Sequence, residues 1–137
     1  DAFRRYIAAW AFKSPQPADF FRSMMTNSGQ DLDWFWRGWF NETGVLDQSV
    51  DGVSHAGTTV EITFRNRREL VMPVLYRVTY ADGPSATRKL PVEAGFASDR
   101  AAARFETSHG KVNRVEIDPE KFFPDVNRGN NKWRRWF

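Results

Sequence analysis

Near Gly44 the apolar residues of this chain stop recurring every three or four positions and begin to alternate. One element cannot satisfy both periods, because a helix buries a stripe at 3.6-residue spacing while a strand sends successive side chains to opposite faces. Before the change, Phe3, Tyr6, Ile7, Trp10 and Ala11 mark an amphipathic helix that stops at "KSPQP". Pro15 or Pro17 suits the first turn of a second helix, which carries Phe20, Phe21, Met24 and Met25 and closes at Gly29. A third helix begins with Asp31 as its N-cap and runs to "NETG", with Gly44 after its last turn.

Beyond Gly44, "TVEITFRN" sets Val60, Ile62 and Phe64 against Glu61, Thr63 and Arg65. "VLYRVTYADG" sets Val74, Tyr76, Val78 and Tyr80 against Leu75, Arg77 and Thr79 before a turn at Gly83. "VLDQSVDGV", "TRKLPVEAGF" and "VNRVEIDP" extend the pattern less cleanly, and the tail from "DPEKFF" onward reads as turn-rich and irregular. Six or seven short strands with no helical signal between them predict a mainly β chain, with about three N-terminal helices followed by an antiparallel β-sandwich of immunoglobulin-like type. The expected boundary separates residues 1–44 from residues 45–137.

Composition narrows what such a chain can do. At 137 residues and 41% hydrophobic content it can build one real core with a small appendage. No apolar run approaches the ~18 residues of a membrane span. The opening "DAFRRYIAAWAF" starts inside a helix without an initiator Met, which suggests a piece of a longer protein. Cysteine is absent, excluding disulfides, thiolate metal sites and cysteine nucleophiles. The 20 Lys+Arg and 17 Asp+Glu are interspersed, so the net charge of +3 forms no concentrated stripe and no nucleic-acid partner is expected.

Residues for catalysis are sparse. His55 in "VSHAG" and His109 in "TSHGKV" fall in expected turns, and neither has a second ligand at helical spacing. Asp31 and Asp33 are explained by capping and the helix dipole. Gly52, Gly57 and Gly83 mark turns and belong to no phosphate-binding pattern. The chain contains neither H-E-x-x-H nor G-x-S-x-G. Catalytic, metal and cofactor-binding residues are therefore all expected to be none.

"DLDWFWRGWF" packs three tryptophans and two phenylalanines into ten positions. At helical spacing Leu32, Phe35, Trp36, Trp39 and Phe40 share one face, while Trp34 lies on the other side, one turn from Gly38. A helix apolar on two sides is normally enclosed by two layers. An ordinary core helix and an aromatic ligand platform are the alternatives, but the pattern best suits a helix facing a domain outside this chain, with Trp34, Arg37 and Gly38 at the interface. Left uncovered, that face invites self-association. The terminal "NKWRRWF" mixes cations and aromatics as single-strand or membrane-surface binders do, yet its brevity favours Trp133 packing on the domain with the rest as a linker.

Three stretches together, "YIAAWAFKSPQPADFFRSMMTNSGQDLDWFWRGWF", "GVLDQSV" and "RVEIDPEKFFPDVNRGNN", resemble the C-terminal region of bacterial aminopeptidase-N-like metallopeptidases, the gluzincin zinc enzymes typified by membrane alanyl aminopeptidase. The resemblance covers nearly the whole chain and is most specific at residues 28–40 and 117–131. It implies that residues 1–44 are the closing helices of a thermolysin-like peptidase domain and that residues 45–137 form the β-sandwich that follows. It also implies a zinc-bearing catalytic domain upstream as partner, and an extracytoplasmic parent. The zinc-binding helix and its supporting glutamate are not in this chain, so no catalytic role carries over. Ser14, where relatives carry a histidine, and Gly95, where a bulky aromatic is commoner, depart from the family pattern.

Overall fold

The structure, a computed structural model, describes residues 1–136. The chain divides into two compact units, Asp1–Glu42 and Thr43–Phe137.

The first unit is helical. Helix α1 spans Ala2–Trp10 and α2 spans Pro17–Ser28. Pro17 occupies the first turn, where its missing N–H costs nothing. The Asp19 carboxylate accepts the Gln16 N–H at 2.8 Å. Gly29 ends α2 at φ 68°, the left-handed conformation that glycine adopts without a Cβ penalty. Helix α3 is short, Asp33–Trp36, and passes into a π-helical turn over Arg37–Asn41. This corrects the expected third helix in two ways. Its N-cap is Leu32, because the Asp31 carboxylate instead accepts the Asp33 N–H in a local turn at 3.1 Å. It also ends at Asn41 without reaching Gly44, and the wider turn around Gly38 shifts the side chains from their expected angles.

The second unit holds seven strands in two antiparallel sheets. Strands β1 (Gln48–Ala56), β2 (Thr59–Asn66) and β5 (Arg100–Glu106) lie in the order β1-β2-β5. Strands β3 (Val74–Tyr80), β4 (Ser85–Leu90), β6 (Val112–Ile117) and β7 (Lys132–Arg134) lie in the order β4-β3-β6-β7. Val60, Ile62 and Phe64 of one sheet and Val74, Tyr76, Val78 and Tyr80 of the other are all buried, as their alternation predicts. They share a single core with Ala103, Val112, Val115 and Ile117, so the sheets form a β-sandwich that follows the N-terminal helices in the sequence. The "TRKLPVEAGF" strand is shorter than expected. It stops at Leu90 because Pro91 has no N–H for the ladder, and a 3₁₀ turn follows at Val92–Gly95. Gly95 has a reason of its own, since a Cβ there would come within 3.1 Å of Val71 Cγ1. Ser14 is exposed and nothing in the structure explains it.

The two flanks of the sandwich differ. On the β1 and β6 side the tail closes the gap: Val50 N–H donates to the Asn130 carbonyl at 3.1 Å and Ile117 N–H to the Asn131 carbonyl at 2.8 Å. The expected irregular tail thus ends in strand β7, antiparallel to β6 with Trp133 opposite Val115. On the other flank, β4 and β5 are the outermost strands of their sheets, and among the described residues no strand pairs their outer edges.

Candidate functional site

The residues with catalytic potential are dispersed. His55 lies on β1 and its Nε2 accepts the Val112 N–H at 3.3 Å. Partial burial, then the charges of Lys111 and Arg135, hold its pKa below the usual imidazole value. His109 Nδ1 sits 3.1 Å from the Asp82 carboxylate, with its ring 4.9 Å from that of Tyr80. Among the described residues no group of three or more His, Asp or Glu side chains could hold a metal ion. No described helix is long and apolar enough to cross a membrane.

In the helical unit most aromatic residues, Phe12 excepted, form one cluster. Trp36 stacks on Phe21 at 4.5 Å, Phe35 stacks on Trp39 at 5.8 Å, and Phe20 meets Trp36 edge-on at 5.9 Å. Trp36 is the sole buried apolar side chain of this unit. Phe3, Ile7, Phe12 and Phe40 remain largely exposed, so Phe40 does not join the enclosed face its spacing suggested. The indole N–H groups of Trp36 and Trp39 are buried without an acceptor among the described residues. Of the three expected interface residues, Arg37 is exposed and Gly38 is partly covered. Trp34 is also partly covered, donates its indole N–H to the Asp31 carbonyl at 3.1 Å, and lies edge-on to Phe35.

The two sandwich stretches "GVLDQSV" and "IDPEKFFPDVNRGNN" converge on one polar clamp. Asp118, 2% exposed and at φ 43°, accepts the N–H groups of Phe122 and Phe123 at 2.8 and 2.9 Å and pairs with Arg128 at 3.3 Å. Arg128 also donates to the Phe123 carbonyl. Asp125 accepts the Gln48 N–H at 2.8 Å, and Asn130 donates to Asp47 at 2.7 Å. Asn131 is buried and turns its amide nitrogen to the Gln48 carbonyl at 2.7 Å. Each carboxylate here is answered by donors of the chain itself, so the clamp is a structural lock joining the tail to β1.

The basic-aromatic tail is split by the structure. Trp133 packs against the core, whereas Trp136 is 86% exposed. Arg114 stands opposite Arg134 across β6 and β7 and shares Glu116 with Lys132. Phe137, which completes "NKWRRWF", lies outside the described residues.

Sequence reasoning missed the open flank. Strand β4 pairs Ala86, Arg88 and Leu90 with the buried Val78, Tyr76 and Val74, so an arginine stands on the inward side of an edge strand. Its guanidinium lies 3.9 Å from the centre of the Phe105 ring, and its Nε is buried without a hydrogen-bond partner. The signal was present in the phase of Leu90, two residues on, but a charged residue in a weak strand reads as solvent-facing. Arg88, Tyr76, Leu90, Ala103 and Phe105 line a cleft of about 480 Å³ between β4 and β5.

Compared with known proteins, no family model matches this chain and no curated protein matches it.

Proposed function

We propose that this chain is the non-catalytic C-terminal part of an aminopeptidase-N-like zinc metallopeptidase. In this reading residues 1–44 are the closing helices of the peptidase domain and the sandwich is an immunoglobulin-like domain that props and shapes it. The observation that carries the reading is the incompleteness of the helical unit. Forty-odd residues that bury one apolar side chain offset little of the entropy of ordering them, so the unit is only marginally stable without a further layer. Phe12 adds to this, being fully exposed at φ 63°, a conformation unfavourable for a bulky residue unless something holds it. An upstream domain covering Trp34, Arg37 and Gly38 would supply the missing second layer. The strand order β1-β2-β5 opposite β4-β3-β6-β7 supports the immunoglobulin-like assignment.

The test joins the chain to the coding segment that precedes it. We expect an H-E-x-x-H upstream, zinc and arylamidase activity in the longer protein, and neither in this chain alone. Amides of residues 31–41 should exchange much more slowly in the longer protein. Unchanged exchange there, or stoichiometric zinc in this chain alone, would overturn the reading.

A second reading, an independent immunoglobulin-like module that binds peptide, glycan or nucleic acid, is favoured by one observation: the donor-lined cleft between β4 and β5.

A further inference from the structure

The cleft between β4 and β5 is rich in donors and poor in acceptors. Arg88 presents a planar fork of N–H groups, and among the described residues no carboxylate reaches it. Beside it stands Tyr76, 3% exposed, whose hydroxyl makes no hydrogen bond to a described side chain or backbone group. Burial pushes the Tyr76 phenol up, against the pull of the Arg88 charge, so the hydroxyl keeps its proton and remains a donor at neutral pH. A guanidinium held on an aromatic ring with its Nε dry is under-solvated, and an anion accepting from its fork would recover what burial has cost.

The chemistry of the walls selects the anion and its carrier. One partly buried guanidinium balances one negative charge, and a dianion would leave the second uncompensated, which favours carboxylate over phosphate. Leu90, Ala103 and Phe105 provide an apolar lining suited to a carbon frame. Lys89 and Arg104 on the rim are exposed, where solvent screens them, and Arg104 is already paired with Glu61, so neither compensates a second charge inside. Both walls are edge strands, so an extended segment can satisfy their outward backbone groups as an added strand. We propose that this cleft binds the carboxylate of an extended peptide, with Arg88 as its anchor and the Tyr76 hydroxyl as second donor. The site lies wholly within the sandwich and is independent of the peptidase reading.

An inward arginine on an edge strand also blunts strand-to-strand association. That role alone predicts aggregation of Arg88 variants and no ligand. The experiment titrates the full chain with a capped hexapeptide of alternating valine and threonine carrying one central glutamate, with its glutamine counterpart, and with 3-phenylpropionate, following backbone amide shifts by NMR. We expect the glutamate peptide to shift β4 and β5 amides, and the glutamine peptide to bind at least about tenfold more weakly. Arg88→Met should lose at least about tenfold in affinity and Tyr76→Phe about three- to tenfold, with Arg134→Ala unchanged. The wild-type shift map needs no variant, so a misfolded Arg88→Met does not spare the idea. No shifts at β4 and β5, or equal binding by wild type and a folded Arg88→Met, would overturn the site. Equal affinity for 3-phenylpropionate and the peptide would assign it to a small carboxylic acid and overturn the peptide as occupant.

Discussion

The rings of Phe64 and Tyr76 meet with centroids 4.8 Å apart, one from β2 and one from β3, and so join the two sheets at the centre of the core. Phe64 is 2% exposed, whereas its neighbour Thr63 faces the other way and is partly open to solvent. Removing the ring leaves a cavity that rigid sheets cannot close. Phe64→Ala should therefore cost roughly 3–5 kcal/mol, and Thr63→Ala should stay within about 0.5 kcal/mol. Equal unfolding midpoints in denaturant would show that the strand phase is wrong.

Asp118 should be the most sensitive polar residue. Asp118→Ala orphans the N–H groups of Phe122 and Phe123 and leaves Arg128 without its partner. The Phe122 and Phe123 donors are only partly shielded, but Asp118 itself is buried and its loss also frees Arg128, so the cost should reach about 2 kcal/mol. Asp118→Asn keeps an acceptor and tolerates the positive φ, so it should cost less than Asp118→Ala. Urea melts of the two variants, compared with Arg128→Ala, decide it. If Arg128→Ala is as damaging as Asp118→Ala, the ion pair and not the backbone acceptance holds the loop.

These particulars show how far the sequence could be read. Strands β2 and β3 were legible because each buries one face, and that burial writes strict alternation into the residue types. Strand β5 was not, since Ala101, Ala102 and Ala103 carry no strand preference and the ladder with β2 imposes it from outside. Strand β7 has three residues, too few for any period. Asp118 and Lys121 adopt positive φ in a loop whose anchor, the Asp118 N–H on the Leu75 carbonyl, is a tertiary contact that no local pattern encodes. In the helical unit the three helices were readable, but the π turn redirected Phe40 outward. The Arg88 site required knowing which strand faces β4 across an open flank, a relation set by topology.

His55 should titrate below the ordinary imidazole midpoint of about 6.5, because burial and then the charges of Lys111 and Arg135 disfavour its protonated form. Its folded pKa is lowered, so between the folded and unfolded values the unfolded chain binds more protons. Stability from this group is complete above about pH 6.5 and declines as pH falls from there toward the folded pKa. The imidazole C–H resonances should place the His55 midpoint below 6.5, and Arg135→Ala should raise it. A midpoint unmoved by Arg135→Ala would leave burial and Lys111 as the only causes.

The aromatic helical unit makes the last prediction. Trp36 is its one enclosed anchor, stacked on Phe21 and touched by Phe20, Phe35 and Phe40. A tryptophan buries on the order of 200 Å², worth up to roughly 5 kcal/mol. Trp36→Glu should therefore melt the helices while leaving the sandwich, whose core is separate, folded. Phe12 is the opposite case: fully exposed and held at φ 63°, it contributes an apolar surface and backbone strain. Phe12→Asn should relieve about 1 kcal/mol of that strain and, by removing an exposed ring, lower self-association of the chain. Trp34→Glu, on a partly covered side chain, should keep the helices and likewise reduce self-association. Far-UV circular dichroism reports the helices, and sedimentation velocity reports association. If Trp34→Glu melts the helices as fully as Trp36→Glu does, the unit already encloses both faces of residues 31–41, and the proposed upstream domain loses the surface it was inferred to cover.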